Sequence, residues 1–127
     1  MTKRIKKRFD ITVENQGAVN SKTFELDKNI TAVHGILLTS DRDDLLYYRG
    51  SNKIELNRQE IFPESYESKL LMTGLNVSPN DRFYNLGGIA PGNGKLKVDY
   101  MDNPDERLAF VTYRVSVYLD CEITGEL

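Results

Sequence analysis

Tryptophan is absent from this chain of 127 residues, and cysteine and histidine occur once each. A single cysteine excludes an intrachain disulfide. A single histidine, His34, would have to serve as the base of any Ser-His-Asp triad. It lies in the middle of an apolar segment, where we expect a hydrogen-bonded structural role because buried polar groups find partners. The sequence therefore predicts neither an enzyme nor a cofactor.

Long apolar runs are missing as well, and the mean hydropathy is −0.48. A membrane-spanning helix needs about 20 mostly apolar residues, so no transmembrane segment is expected. No apolar run follows the first residues, which argues against a signal peptide. We expect the protein to fold in a reducing cytoplasm, with Cys121 packed as a small hydrophobic residue.

Two segments resemble ligand-binding loops but lack essential positions. Asp41, Asp43 and Asp44 are closely spaced acids, yet the glycine and the distant glutamate of a calcium loop are absent. The Gly92–Lys95 segment lacks the first glycine and the final Ser or Thr of a phosphate loop. We therefore expect a solvated loop at the acids, no metal site, and a tight turn at Pro91–Gly94.

The strongest positive signal is the stretch from Val111 to Ile123. Its odd-numbered positions are apolar and most of its even-numbered positions are polar. Side chains on a strand alternate between the two faces of a sheet, so this pattern predicts a long, half-buried β-strand. Val115 and Val117 are expected core positions on its apolar face.

Shorter apolar segments recur along the chain with turn residues between them. They lie at 9–13, 24–26, 30–39, 45–48, 54–56, 82–86 and 96–100. Pro63 is expected to end the segment around Phe62, because proline donates no backbone hydrogen bond, and a loop leading into a strand is expected from residue 64 to 72. About eight or nine strands without a convincing helix predict an all-β fold, a single-domain antiparallel β-sandwich or a closed barrel.

Charge is distributed unevenly along the chain. Residues 1–8 hold no acid and five basic residues, Lys3, Arg4, Lys6, Lys7 and Arg8. The remaining 12 basic residues face 19 acidic ones, so this segment carries +5 and the rest of the chain −7. We predict a basic N-terminal arm over residues 1–8, ahead of a sandwich domain over residues 9–127. Such an arm can contact nucleic acid, anionic lipid or acidic patches on neighbouring copies, or stay solvated.

The basic arm, the β-only body with long loops at 41–44 and 87–94, and the long closing strand together form a recognisable outline. In these features the chain resembles the single jelly-roll proteins that build icosahedral bacteriophage capsids. The resemblance implies a jelly roll of two four-stranded sheets that oligomerises as a coat or vertex subunit. It also implies copies of itself and other virion proteins as partners, and a location in the virion, assembled in the host cytoplasm.

A coat subunit must bury loop ends against copies of itself, and arginine and tyrosine are enriched at such interfaces. We therefore predict interface contacts by Arg42, Tyr48, Arg49, Arg82 and Tyr84.

The alternative is a β-sandwich or OB-like module that binds carbohydrate or single-stranded nucleic acid through Tyr47, Tyr48 or Tyr84. Alternation on a strand would turn one ring of the adjacent pair Tyr47–Tyr48 into the core. The absence of tryptophan weighs against carbohydrate, and a charge of −7 outside the arm weighs against nucleic acid.

Overall fold

The computed structural model describes residues 2–73, 77–78 and 81–124. Within these residues the chain forms eight strands, one short α-helix and one 3₁₀ turn. The strands are β1 (Thr2–Val13), β2 (Val19–Glu25), β3 (Ile30–Ser40), β4 (Gly50–Leu56), β5 (Gln59–Glu67), β6 (Tyr84–Ile89), β7 (Lys95–Asp102) and β8 (Tyr113–Thr124). The helix α1 spans Asp43–Arg49 and the 3₁₀ turn spans Ser68–Leu71. Neither helical segment could cross a membrane.

The strands form two antiparallel four-stranded sheets, which confirms the predicted all-β sandwich. The strand orders are β1-β8-β3-β6 and β2-β7-β4-β5. Pairing is nested: β1 pairs with β8, β2 with β7, β3 with β6, and β4 with β5. The first and last strands of the chain are therefore neighbours in one sheet. The hairpin β4–β5 is the central pair of the nested order and has the shortest connection.

The core lies between the two sheets, and β8 supplies its longest row of side chains. Val115, Val117, Leu119 and Cys121 are all buried, which confirms the predicted apolar face. Burial raises the pKa of the Cys121 thiol to about 11, so the thiol is protonated at neutral pH. The strand begins two residues later than predicted, and Val111 is exposed outside it.

The segment predicted as a separate basic arm is part of β1, so the expected boundary after residue 8 is corrected. From Thr2 to Val13, every residue of β1 has a partner in β8. Ile5 and Phe9 pack against the core, and Ile11 is fully buried. The alternation of inward-facing residues in β1 thus continues back to Ile5. The many basic residues of this segment hide that alternation in the sequence.

Strand β5 runs through Pro63, against the expectation that the strand would end there. Phe62 lies opposite Ile54 and Tyr66 lies opposite Asn52, so three residues of β5 bulge against one of β4. Because β5 is an edge strand and Pro63 sits in this bulge, no ladder hydrogen bond is lost. The strand predicted to follow residue 64 is instead the end of β5 and the 3₁₀ turn.

Helix α1 occupies the region predicted as an acidic loop and a short apolar segment. It buries Leu45, Leu46 and Arg49, while Tyr47 and Tyr48 both remain exposed. At about 100° per residue, a helix places two consecutive residues on the same side, whereas a strand would separate them. The expectation that one tyrosine ring would enter the core is therefore wrong.

The predicted tight turn at Pro91–Gly94 is confirmed, because the Gly94 N–H donates to the Pro91 carbonyl at 2.9 Å. Gly92, the first central residue of this turn, has positive φ, as a type II′ turn requires. The turn connects β6 to β7, which lie in different sheets. It is therefore a crossing between layers and not the turn of a hairpin.

Candidate functional site

A buried ion pair organises the end of the sandwich that carries α1. The Arg49 guanidinium donates from Nε to Asp102 Oδ1 and from Nη2 to Asp102 Oδ2, both at 2.9 Å. Arg49 is 1% exposed and Asp102 is 0% exposed. Burial alone would raise the pKa of Asp102, but hydrogen bonds from Arg49, the Gly17 N–H and the Tyr113 hydroxyl outweigh burial and lower it. Asp102 is therefore a carboxylate at neutral pH.

Arg49 also holds two loops against the helix. Its Nη2 donates to the Gln16 side-chain carbonyl at 3.2 Å, in the β1–β2 loop. Its Nη1 donates to the carbonyls of Asp105 and Leu108 at 3.4 and 3.3 Å, in the β7–β8 loop. The guanidinium further lies 5.4 Å from the centroid of the Phe110 ring. The prediction that Arg49 contacts another copy is corrected, because a side chain enclosed in this way has no surface to offer.

Next to this ion pair is an open cleft of about 460 Å³. Asn103 connects the two features, since its side-chain amide donates to the Arg49 carbonyl at 3.0 Å and to Ser51 Oγ at 2.9 Å. The residues that line the cleft come from α1, the start of β4, β5, the 3₁₀ turn and the β7–β8 loop. They include Tyr47, Tyr48, Ser65, Glu67, Lys69, Asn103 and Arg107.

The two tyrosines of the cleft are held by cations. Their ring centroids are 4.9 Å apart in an edge-to-face arrangement. Lys69 Nζ lies 5.4 Å from the centroid of Tyr47, and the Arg107 guanidinium lies 4.3 Å from the centroid of Tyr48. A cation over an aromatic face is attracted by the negative charge of the π-system, so both rings are restrained.

Each of these cations is also paired with a carboxylate. Lys69 Nζ lies 3.2 Å from Glu67, and Arg107 donates to both oxygens of Asp105 at 3.0 and 2.6 Å. The hydrogen bonds from Arg107 lower the pKa of Asp105 to about 2. The cleft therefore carries compensated charge and not a positive field.

The other predicted interface residues are spread over the surface. Arg42 is exposed ahead of α1 and pairs with Asp44 at 3.0 Å. Arg82 is partly buried, donates to the Val77 carbonyl at 2.8 Å, and lines a second cleft together with Tyr47 and Lys69.

Tyr84 lies on β6, where its ring contacts Phe62 edge to face at 5.4 Å. It does not line the cleft that holds the other two tyrosines, Tyr47 and Tyr48. The structure thus separates Tyr84 from the two rings with which it was grouped in the sequence.

The basic residues of β1 lie beside acids of the same fold. Arg4 and Lys6 pair with Asp120 at 2.9 and 3.2 Å. Arg8 pairs with Asp10 at 2.9 Å, Lys7 pairs with Asp27, and Lys3 is exposed. The charge of this segment is therefore largely compensated locally, and its contact with an anionic partner stays a prediction.

Three further residues singled out in the sequence, His34, Asp41 and Asp44, have structural partners. His34 Nε2 lies 2.7 Å from Glu122 Oε1, which confirms the hydrogen-bonded histidine. Asp41 accepts a hydrogen bond from the Arg114 N–H, and Asp44 accepts one from the Leu45 N–H. Among the residues that the structure describes, no group of three His, Cys, Asp or Glu side chains could hold a metal ion.

Sequence reasoning missed Asp102, although a signal for it was present. Leu96, Val98 and Tyr100 alternate on the inward face of β7, and Asp102 continues the same parity. A carboxylate at the inward-facing end of a strand indicates a buried partner cation. Tyr113 Oη, on β8, donates to the same carboxylate at 2.7 Å.

The cleft can bind a polar ligand by combining aromatic surface with hydrogen-bonding groups. Glu67 offers a carboxylate, Ser65 a hydroxyl and Asn103 an amide oxygen beside the two tyrosine rings. A few polar groups placed around aromatic side chains are typical of small-molecule sites. Comparisons with protein-family models, with curated proteins and with solved structures found no match.

Proposed function

We propose that this chain is a self-assembling structural subunit of a bacteriophage capsid, a coat or vertex protein with the jelly-roll fold. The observation that carries the proposal is the nested pairing of β1 with β8, β2 with β7, β3 with β6, and β4 with β5. Winding one long hairpin of eight strands into two four-stranded sheets produces this order. Such jelly rolls occur in viral capsid and lectin domains.

Assembly contacts are expected at loop ends, where arginine and tyrosine are accessible. Arg42 and Tyr84 are exposed and Arg82 is partly exposed, so these three of the five predicted residues support the proposal. A stable contact covers on the order of 800 Å² on each partner. Tyr48 lines the cleft. Arg49 is no longer proposed as an interface residue, because its side chain is buried.

The proposal includes other virion proteins as partners and assembly in the host cytoplasm. The basic residues of β1 are candidates for contact with the genome or with anionic lipid. The side chains of Arg4 and Lys6 remain about half exposed although both pair with Asp120, so they stay accessible to an anionic partner. Contacts of this kind weaken as ionic strength rises.

Native mass spectrometry over a range of protein concentrations tests the proposal. We expect oligomers that grow with concentration, and we expect Arg42→Glu to shift them toward monomer without lowering the melting temperature. Lys97→Glu makes the same charge change on an exposed position of β7 and serves as the control. A chain that stays monomeric at high concentration would overturn the proposal.

A binding module is the second candidate function, and the exposed tyrosine pair in the cleft favours it. Its OB-like form is contradicted by the fold, because eight strands in two separate sheets differ from a five-stranded barrel. The sandwich form remains, with the ligand site at Tyr47 and Tyr48. A monomer that binds a ligand through this cleft would favour the binding module over the capsid subunit.

A further inference from the structure

We propose that the cleft beside α1 binds a neutral oligosaccharide through Tyr47 and Tyr48. This inference rests on the second candidate function, the binding module, whose ligand class it names, and it does not depend on the proposed role in assembly. The volume of about 460 Å³ lies within the range of roughly 300 to 1,000 Å³ that is typical of small-molecule sites.

Aromatic surface is the first requirement of a sugar site, because the C–H groups of a pyranose ring pack on the negative face of an aromatic ring. Tyr47 is 47% exposed and Tyr48 is 42% exposed, and this surface remains with Lys69 and Arg107 already in place over the rings. The cations hold the rings in position, so a ligand does not have to order them on binding.

Hydrogen-bonding groups around the rings are the second requirement. Glu67 and Ser65 are exposed in the same cleft, and a carboxylate can accept hydrogen bonds from two hydroxyl groups of a sugar. Asn103 is fixed because its amide N–H groups donate to the Arg49 carbonyl and Ser51 Oγ. These two hydrogen bonds fix the orientation of its amide oxygen.

The backbone of the cleft is equally constrained. Ser65 has a φ of +65°, a left-handed conformation that residues other than glycine rarely adopt. A Cβ at Gly50 would lie 2.5 Å from the Tyr100 hydroxyl and 2.7 Å from the Leu46 carbonyl, so a larger residue cannot be placed there. Unfavourable backbone conformations such as that of Ser65 are concentrated at binding sites, where the surrounding structure holds them.

The charges of the cleft distinguish a neutral sugar from a nucleic acid. A site for single-stranded nucleic acid combines stacking rings with cations that neutralise phosphates. Here Lys69 is paired with Glu67, and Arg107 is paired with Asp105. A phosphate in the cleft would meet the Glu67 carboxylate and two cations that already have carboxylate partners, so the arrangement favours a ligand without charge.

The test is an array of immobilised neutral glycans, followed by calorimetric titration of the full chain with the glycan that binds best and with an oligothymidine. We expect saturable binding of at least one neutral glycan, unaffected by added salt. Tyr48→Ala should weaken it at least about fivefold, which is what the loss of about 1 kcal/mol of ring contact would produce. Tyr48→Phe keeps the ring and should retain binding.

Tyr84→Ala is the matched control, because it removes an equally exposed tyrosine that lies outside the cleft. It should leave the affinity unchanged, and melting temperatures of all three variants show whether a loss reflects unfolding. The proposal is overturned if no neutral glycan binds, or if Tyr84→Ala and Tyr48→Ala weaken binding equally. Salt-sensitive binding of the oligothymidine through Tyr48 would show a nucleic-acid site instead. The oligomeric state, measured separately, decides the proposed function and leaves this result unaffected.

Discussion

At the scale of single residues, Arg49 and Asp102 are two opposite charges that lie fully buried at one end of the sandwich. Removing a charge from water is costly, and attraction to a partner offsets the cost only where the remaining hydrogen-bonding positions are also filled. Here two backbone carbonyls of one loop and a glutamine side chain of another accept from the guanidinium, and a hydroxyl and a backbone N–H donate to the carboxylate. The planar, five-donor guanidinium suits this site, whereas a lysine could not fill it.

Arg49→Ala should therefore destabilise the protein by about 3 to 5 kcal/mol, because it leaves the Asp102 carboxylate buried without its partner. The measurement is urea unfolding at neutral pH. Arg107→Ala is the matched control: Arg107 also forms a bidentate pair with an aspartate, but it is exposed, and exposed pairs contribute about 0 to 1 kcal/mol. Equal losses in the two variants would show that the buried pair is not the element that holds this end together.

The burial of a residue could be predicted from the sequence where its near neighbours in the chain reveal it. The burial of Arg49 could not be predicted in this way. Val115 and Val117 reveal their burial through the alternation of their own neighbours. Arg49 is separated from Asp102 by 53 positions, and composition alone makes an arginine near a loop look like an interface residue. The same holds for the cleft. The sequence indicated Tyr48 as a possible ligand-binding residue, but it did not indicate that Lys69 and Arg107 restrain the two tyrosine rings.

At the scale of secondary-structure elements, β1 combines an edge position with unusual charge. An edge strand presents unpaired backbone groups that could pair with another chain, and lysine side chains discourage such pairing. Lys7 stands on an inward-facing position of β1 and forms an ion pair with Asp27 at the margin of the sandwich. We infer that the basic residues protect this edge while Ile5 and Phe9 anchor the strand to the core.

Deleting residues 2–6 should consequently lower the melting temperature, because it removes Ile5 from the core and several backbone hydrogen bonds to β8. Arg4→Gln combined with Lys6→Gln keeps the strand and removes only exposed ion pairs, so this variant should melt within a few degrees of the unmodified protein. Thermal unfolding followed by circular dichroism measures both. An unchanged melting temperature after the deletion would show that this part of β1 is a dispensable arm after all.

Two other elements show where local sequence patterns are insufficient. In α1, two leucines followed by two tyrosines fit a short strand as well as one helical turn, and only tertiary packing of Leu45 and Leu46 decides between them. In β5, Pro63 would normally end a strand, but a bulge at the edge of a sheet accommodates it. Both outcomes depend on neighbours that are distant in sequence.

At the scale of the whole molecule, the nested pairing orders the strand pairs by their separation along the chain. The β4–β5 hairpin closes over a two-residue turn, in which Asn57 and Arg58 both have positive φ as a type I′ turn requires. By contrast, β1 and β8 are the first and last strands of the sandwich, and they pair with each other across nearly the whole length of the chain. Closing a longer loop costs more conformational entropy, so the inner pair should form before the outer one.

Folding kinetics should therefore distinguish the two pairs. Ile54→Val, in β4, should mainly slow folding, because its contacts are expected to exist already in the transition state. Val117→Ala, in β8, should mainly accelerate unfolding, because the outer pair is expected to form later. Both side chains are fully buried. Ile54→Val should cost about 0.5 to 1.5 kcal/mol and Val117→Ala about 1 to 3 kcal/mol. The ratio of kinetic to equilibrium effects can be measured where the loss exceeds about 0.6 kcal/mol. Stopped-flow refolding and unfolding in urea give these rates. If Val117→Ala slows folding as strongly as Ile54→Val does, the first and last strands pair early in folding. The β4–β5 hairpin would then not form before the β1–β8 pair.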